Sequence, residues 1–392
     1  MQYDEHIIPA FDNKSATRFV ENQLFRLNPI TMQDDYEIDT LLLTQEVIEL
    51  NERKVFLEGV ASHLGNVEVT DTEAMLSEVQ ERYANKGIEL KKAVKGWFRK
   101  PDVSPSTDQA YRRNLYEFCY ALDMDYQTTA EFFLKSFLTI PFNYKDRDDA
   151  VYFYCIKMGR DYATIQHLLD EADKLATTNT TVDITEQIGM QILSIETDDE
   201  FIKYLQNHCY DRKHQYATAK AKIADYILQN KSLVPGKGND EYDNLGTKKN
   251  SALLAAILGY RYQGLEPRQR KHMKECGLPT FPRDADVDEV IATENEASFD
   301  VLRKTLILMK FYNFYRNLQV ATRKLDMNDE DINANLYDFF DETNEELAQC
   351  GFVQMYLRNP FDWIIVFCAN SPDPISYLQD FIQKRYLGEL EY

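Results

Sequence analysis

The sequence predicts an all-α, multi-helical protein whose helical hairpins close around aromatic-rich cores, and three observations carry that expectation. Glycine (14) and proline (12) are scarce in 392 residues, so tight turns are few and elements are long. Tyrosine (25) and phenylalanine (22) are abundant, which supplies large side chains for packing between helices. Apolar residues recur at spacings of three and four over most of the chain, the period of a helix with one buried face.

The elements follow in order. Residues 1–70 form an N-terminal helical segment: Ser15 can cap a helix through Phe19, Leu24 and Phe25, and a longer one runs from about Glu37 to His63. A helical domain over 71–176 comes next. Met75, Leu76, Val79 and Tyr83 line one helix, Asn85-Lys86-Gly87 turns the chain, and Leu90, Val94, Trp97 and Phe98 line the next. Pro101 to Ser106 is a break. Leu115, Phe118, Cys119 and Leu122 then mark a helix, Thr128 to Leu138 another, and Pro141-Phe142-Asn143 a second break before helices at about Asp148–Lys157 and Tyr162–Leu175. The run Thr177-Thr178-Asn179-Thr180-Thr181 has low helix preference and reads as a boundary or exposed loop. In the middle segment, 186–232, Thr197-Asp198-Asp199-Glu200 is a capping box ahead of Phe201 and Leu205, and a further helix spans about Tyr216 to Gln229. Pro235 to Lys249 is a second boundary. The C-terminal domain, 250–392, opens with a helix over Ser251–Tyr260. It centres on a long helix from Phe299 to Leu325, apolar on more than one face through Leu302, Leu306, Met309, Phe311 and Phe314.

A formal charge of −21 argues against a protein that coats nucleic acid or anionic membrane with its whole surface. Asp4 and Glu5 stand where a signal peptide would be basic, no segment has the ~18 uncharged apolar residues of a membrane span, and Arg303, Lys304, Lys310 and Arg316 exclude the long helix from that role. The expectation is a cytoplasmic protein with no membrane partner. Cys119, Cys155, Cys209, Cys276, Cys350 and Cys368 are widely spaced and form no C-x-x-C pair, which suits reduced thiols.

One segment departs from the acidic background. Lys86, Lys91, Lys92, Lys95, Arg99, Lys100, Arg112 and Arg113 face only Glu89, Asp102 and Asp108, a local balance of +5 that leaves −26 for the rest. With Leu90, Val94, Trp97 and Phe98 on the packed side, Lys91, Lys92, Lys95 and Arg99 fall on the solvent side. A short helix anchored by aromatics and presenting cations can lie in a groove or along a phosphate backbone.

The run LSEVQERYANKGIELKKAVKGWFRKPDVSP, with the following YRRNLYEFCYALDMDYQTTAEFF, resembles the later helices of a lambda-repressor-like helix-turn-helix domain. The likeness covers about residues 71–138. It implies a DNA-binding module whose second helix, about Ile88 to Arg99, is the one that reads DNA. That helix offers Lys and one Glu rather than Gln, Asn or Ser, which favours phosphate contact over base readout. The alternative is a solvated basic face paired with the protein's own carboxylates.

Other features are weaker in direction. Arg261, Arg268, Arg270, Lys271 and Lys274, preceded by Lys248 and Lys249, form a second basic cluster, either a further binding surface or a charged connector. Lys324 to Glu346 carries a balance of −8, which suits solvated helix faces, docking of a basic protein partner, or imitation of DNA to occupy a nucleic-acid-binding protein. Met273–Arg283 and Leu347–Arg358 share a Cys-Gly helix end followed by an aromatic and an arginine, and Leu134–Cys155 follows a similar plan. Reuse of one capping chemistry accounts for this echo, with a duplicated hairpin as the alternative. Gly236-Lys237-Gly238 and Gly246-Thr247-Lys248-Lys249 lack phosphate-loop spacing, and His208, Cys209 and His214 lack a fourth metal ligand. With no G-x-S-x-G and no H-E-x-x-H, no catalytic residue, metal or cofactor is expected. The functional expectation is a non-catalytic nucleic-acid-binding or regulatory protein, with DNA or RNA as partner. The alternative is an acidic interaction protein, adaptor or inhibitor.

Overall fold

A computed structural model describes residues 52–65, 67–100, 103, 105, 109–175, 191–210, 212–234, 249–276, 278–291, 297–322 and 329–387. Among these the protein is all-α: helices account for every regular element, with one isolated bridge between Asp146 and Tyr210. The expected helix capped by Ser15, the Thr-rich stretch and the Pro235–Lys248 stretch lie outside the described residues.

The described chain falls into two compact units that divide between Tyr216 and Ala217, within a continuous helix. The first unit holds α1 (Glu52–Leu64), α2 (Thr72–Asn85), α3 (Lys92–Arg99), α4 (Gln109–Ala121), α5 (Tyr126–Phe132), α6 (Arg147–Lys157), α7 (Tyr162–Lys174) and α8 (Asp198–His208). α5 runs on into a π turn, Phe133–Phe137. α9 (Arg212–Leu233) carries the chain across the division. The second unit holds α10 (Asn250–Leu258), α11 (Pro267–Glu275), α12 (Asp284–Ile291), α13 (Phe299–Thr322), α14 (Asp329–Gln349), α15 (Pro360–Ala369) and α16 (Pro374–Arg385).

Local chemistry explains most helix starts. Asp71, Asp125, Asp146, Asp161, Asn359 and Asp373 each place a side-chain oxygen on a free backbone N–H of the first turn, and Thr197 with Glu200 completes the expected capping box of α8. In the first unit Phe56 of α1 meets Trp97, Phe98, Phe118 and Phe137 at ring separations of 5.4–6.0 Å, so α1, α3, α4 and the π turn converge on one aromatic cluster. Burying each such ring contributes about 1.5–3 kcal/mol. In the second unit α13 has the many-sided burial expected of a central helix: Leu302, Leu306, Ile307, Leu308, Met309 and Phe311 are all inaccessible.

The two units repeat one arrangement. α6 and α15 are each buried along nearly their whole length, and each follows a break entered through a left-handed residue, Leu138 (φ 51°) or Gly351 (φ 73°). In the first break, Asp146 N–H donates to Asn143 O (2.8 Å), Asn143 N–H donates to Asp149 Oδ2 (2.8 Å), and Asp146 caps α6. In the second, Asn359 N–H donates to Tyr356 O (2.8 Å), Tyr356 N–H donates to Asp362 Oδ2 (2.8 Å), and Asn359 caps α15. Positions 143, 146, 149 and Cys155 thus recur at 356, 359, 362 and Cys368. An arginine from an earlier helix grips each buried aspartate: Arg112 of α4 holds Asp149 and donates to Ile140 O (3.2 Å), while Arg303 of α13 holds Asp362 (2.7 and 2.9 Å) and donates to Val353 O and Gln354 O. The echo between Leu134–Cys155 and Leu347–Cys368 therefore extends to the buried ion pair. The Met273–Arg283 member differs: Arg283 N–H donates to Asp286 at the start of α12, and the buried aspartate there, Asp284, has an Oδ2 without a hydrogen-bond partner among the described residues.

Candidate nucleic-acid interface

α2 and α3 frame the candidate site. α2 buries Met75, Leu76, Val79 and Tyr83, the expected face, and ends where Gly87 turns left-handed (φ 68°). Ile88 N–H then returns to Tyr83 O (2.9 Å), which closes the turn and leaves Glu89, Leu90 and Lys91 outside any helix. α3 consequently begins at Lys92, four residues later than the sequence suggested. Its far side is fixed: Val94, Trp97 and Phe98 are buried against the cluster around Phe56, and Phe118 of α4 lies 5.9 Å from Trp97.

The eight predicted cations separate into two groups. Arg112 is buried, bound to Asp149 through Nη2 and Nε, and covered by the rings of Tyr116 and Phe133 at 5.6 and 5.4 Å. Burial alone would lower its pKa, but Asp149, with Tyr116 and Asp146, raises it above the ordinary arginine value. Arg113 donates to both oxygens of the buried Asp148 (2.6 and 2.7 Å). Both arginines of α4 thus hold the start of α6. Lys91 pairs with the buried Glu117 (2.8 Å) and donates to Asn114 Oδ1 (2.9 Å), and Lys86 pairs with Asp123 beside the Tyr120 ring.

Lys92, Lys95, Arg99 and Lys100 form the second group. Arg99 reaches Glu73 at 3.6 Å, with both side chains more than half exposed, a contact worth well under ~1 kcal/mol. Lys92, Lys95 and Lys100 have no hydrogen bond or ion pair among the described residues. Lys92, Lys95 and Arg99 stand at i, i+3 and i+7, so they share one side of α3, with Gly96 between them. From Lys92 to Arg99 the helix rises about 10 Å, close to the axial rise of about three nucleotides of one strand. Tyr111 of α4, among the most exposed aromatics at 44%, is three residues before Asn114, the residue that holds Lys91.

The residues missed by sequence reasoning are the acids Glu117, Asp148 and Asp149. Asp148 and Asp149 follow Asp146 at a helix start, a pattern that reads as ordinary capping. What assigns them to Arg113 and Arg112 is a contact across 35 and 37 residues. The acidic C-terminal stretch is likewise partly occupied from within: Glu342 binds Lys310 and Glu346 binds Lys222 and the Tyr226 hydroxyl. Among the described residues no group of His, Cys, Asp and Glu is arranged to hold a metal ion, and no helix is long and apolar enough to cross a membrane.

Comparison with known proteins yields no match from a family model, a curated protein or a solved structure.

Proposed function

We propose that the chain binds nucleic acid, as a regulatory rather than catalytic component, through the open face of α3. In this reading α2 and α3 act as a helix-turn-helix, and Lys92, Lys95, Arg99 and Lys100 contact phosphate. Lys91 and Lys86 border the face, while Arg112 and Arg113 position it by fixing α4 on α6. The observation that carries the reading is the contrast within one segment: four cations are consumed by the protein's own carboxylates, and Lys92, Lys95 and Lys100 are left without them on a helix whose opposite side is locked in the core. Cations that stabilise nothing in the fold are free to exchange counterions for phosphates. The exposed Tyr111 offers a ring on which an unpaired base can stack.

The test is fluorescence anisotropy with a labelled duplex and a single strand over a salt series. Affinity should fall steeply with salt, and Lys92→Glu with Lys95→Glu should weaken every sequence alike, by at least about tenfold, with a salt slope shallower by about two. Absence of binding at low salt, or an unchanged slope in the double variant, overturns the reading.

A further inference from the structure

α11 is a helix that packing does not explain. None of its described side chains is buried: Arg268, Lys271, His272 and Lys274 are exposed, and Gln269, Arg270 and Met273 are only partly covered. A helix polar on all sides needs other support. Here Pro267 stands at its first turn, Glu266 and Gln269 form a reciprocal capping box, and Arg270 lies over the Tyr262 ring at 5.5 Å. Arg283 reaches the same ring at 5.9 Å.

What α11 presents is charge. Arg268, Lys271 and Lys274 follow one another every third residue, and His272 approaches the carbonyl of Arg385 (3.3 Å), which brings Lys384 and Arg385 of the last turn of α16 alongside. Arg268 meets Glu266 at 3.0 Å with both side chains about two-thirds exposed, so solvent screens that pair. Lys274 and Lys384 have no ion pair among the described residues. No large apolar side chain is exposed on α11 or α16. A protein partner would need an apolar anchor at the centre of its contact, whereas a phosphodiester backbone needs only spaced cations.

We propose that α11 and the end of α16, through the exposed Arg268 and Lys274 and the partly exposed Lys384, bind the phosphodiester backbone of nucleic acid as a second face. This surface shares no residue with α3, so either can fail without the other.

The experiment uses the full chain with the same labelled duplex and single strand. Arg268→Glu with Lys274→Glu should make the salt slope shallower by about two and weaken binding at low salt by about tenfold or more. The neutral pair Arg268→Gln with Lys274→Gln should have an intermediate effect, which a folding defect would not produce. If the α11 variants bind as the parent does while Lys92→Glu with Lys95→Glu weakens binding, the second face is overturned and the α3 reading stands. The reverse result keeps α11 and removes α3. Displacement of the duplex by polyglutamate at equal charge concentration would assign α11 to acidic proteins and overturn the nucleic-acid inference.

Discussion

The two buried arginine–aspartate pairs occupy the same place in their units but are not equally protected. Arg112 is enclosed: its side chain is 3% exposed, two rings cover it, and its Nη1 is buried without a hydrogen-bond partner. Arg303 is 15% exposed and each of its guanidinium nitrogens donates to Asp362, Val353 O or Gln354 O. The same grip is therefore completed by hydrogen bonds in the second unit and by enclosure among aromatics in the first. A buried cation depends on its counter-ion more heavily where less else solvates it.

The largest expected effect follows from that difference. Asp149→Ala leaves Arg112 buried with only Tyr116 Oη and Ile140 O, and also strips Asn143 N–H of its acceptor, so it should destabilise the first unit by about 3–5 kcal/mol. Asp362→Ala leaves Arg303 its two loop carbonyls and some solvent, and should destabilise the second unit by less. Urea unfolding followed by circular dichroism, with hydrogen exchange to tell the units apart, measures both. An equal or larger loss from Asp362→Ala would show that enclosure does not distinguish the pairs. Replacing Arg112 and Asp149 together with Met and Leu should be milder than Asp149→Ala, because no charge is then left unpaired.

A smaller effect separates the turns that lead into the two breaks. Gly351 has φ 73° and Leu138, at the matching position, has φ 51°, but only Leu138 carries a side chain, and that side chain is 1% exposed. The first unit thus tolerates a left-handed leucine because burial of its side chain offsets the strain. Gly351→Ala should cost about 1–2 kcal/mol, since the left-handed strain it adds is offset by at most one methyl group of burial. Leu138→Gly should cost more, because relief of the strain is outweighed by the cavity left behind, and chemical denaturation of the two variants gives the order. A stabilising Leu138→Gly would mean that strain dominates at this turn.

Helix positions were legible in the sequence wherever one face was apolar. Met75, Leu76, Val79 and Tyr83 marked α2, and Leu302 to Phe311 marked the central α13, because burial writes its period directly into residue order. The start of α3 was less legible, since Leu90 continues the apolar pattern although the backbone there is not helical after the left-handed Gly87. The candidate site was legible as a run of cations. The sequence could not tell which of them remain open: Arg112 and Arg113 look like further phosphate contacts until Asp148 and Asp149 are placed against them across more than thirty residues. The same holds for the repeated grip, since Arg112 and Arg303 share only residue type while the constant spacing lies in 143, 146, 149 and 356, 359, 362.

The smallest effect leaves the fold intact and compares how the two units cover their thiols. Cys155 of α6 and Cys368 of α15 occupy matching buried positions, Cys119, Cys209 and Cys350 are buried as well, and Cys276, just after α11, is the partly exposed one. Burial pushes Cys155 and Cys350 up to about 12 and raises Cys119, Cys209 and Cys368 as well, since a thiolate in an apolar interior loses its hydration. Near pH 8 a thiol at about 12 is ionised in only about one molecule in 10⁴, and access is restricted besides. Cys276 is raised by burial as well, so it should react more slowly than a free thiol but far ahead of the other five. Titration with a disulfide reagent should therefore modify one cysteine in the native protein, removed by Cys276→Ser, and all six in denaturant. If Cys155 or Cys368 kept pace with Cys276, the central helix carrying it would be opening on the timescale of the reaction, and the unit in which that happened would be the weaker of the two.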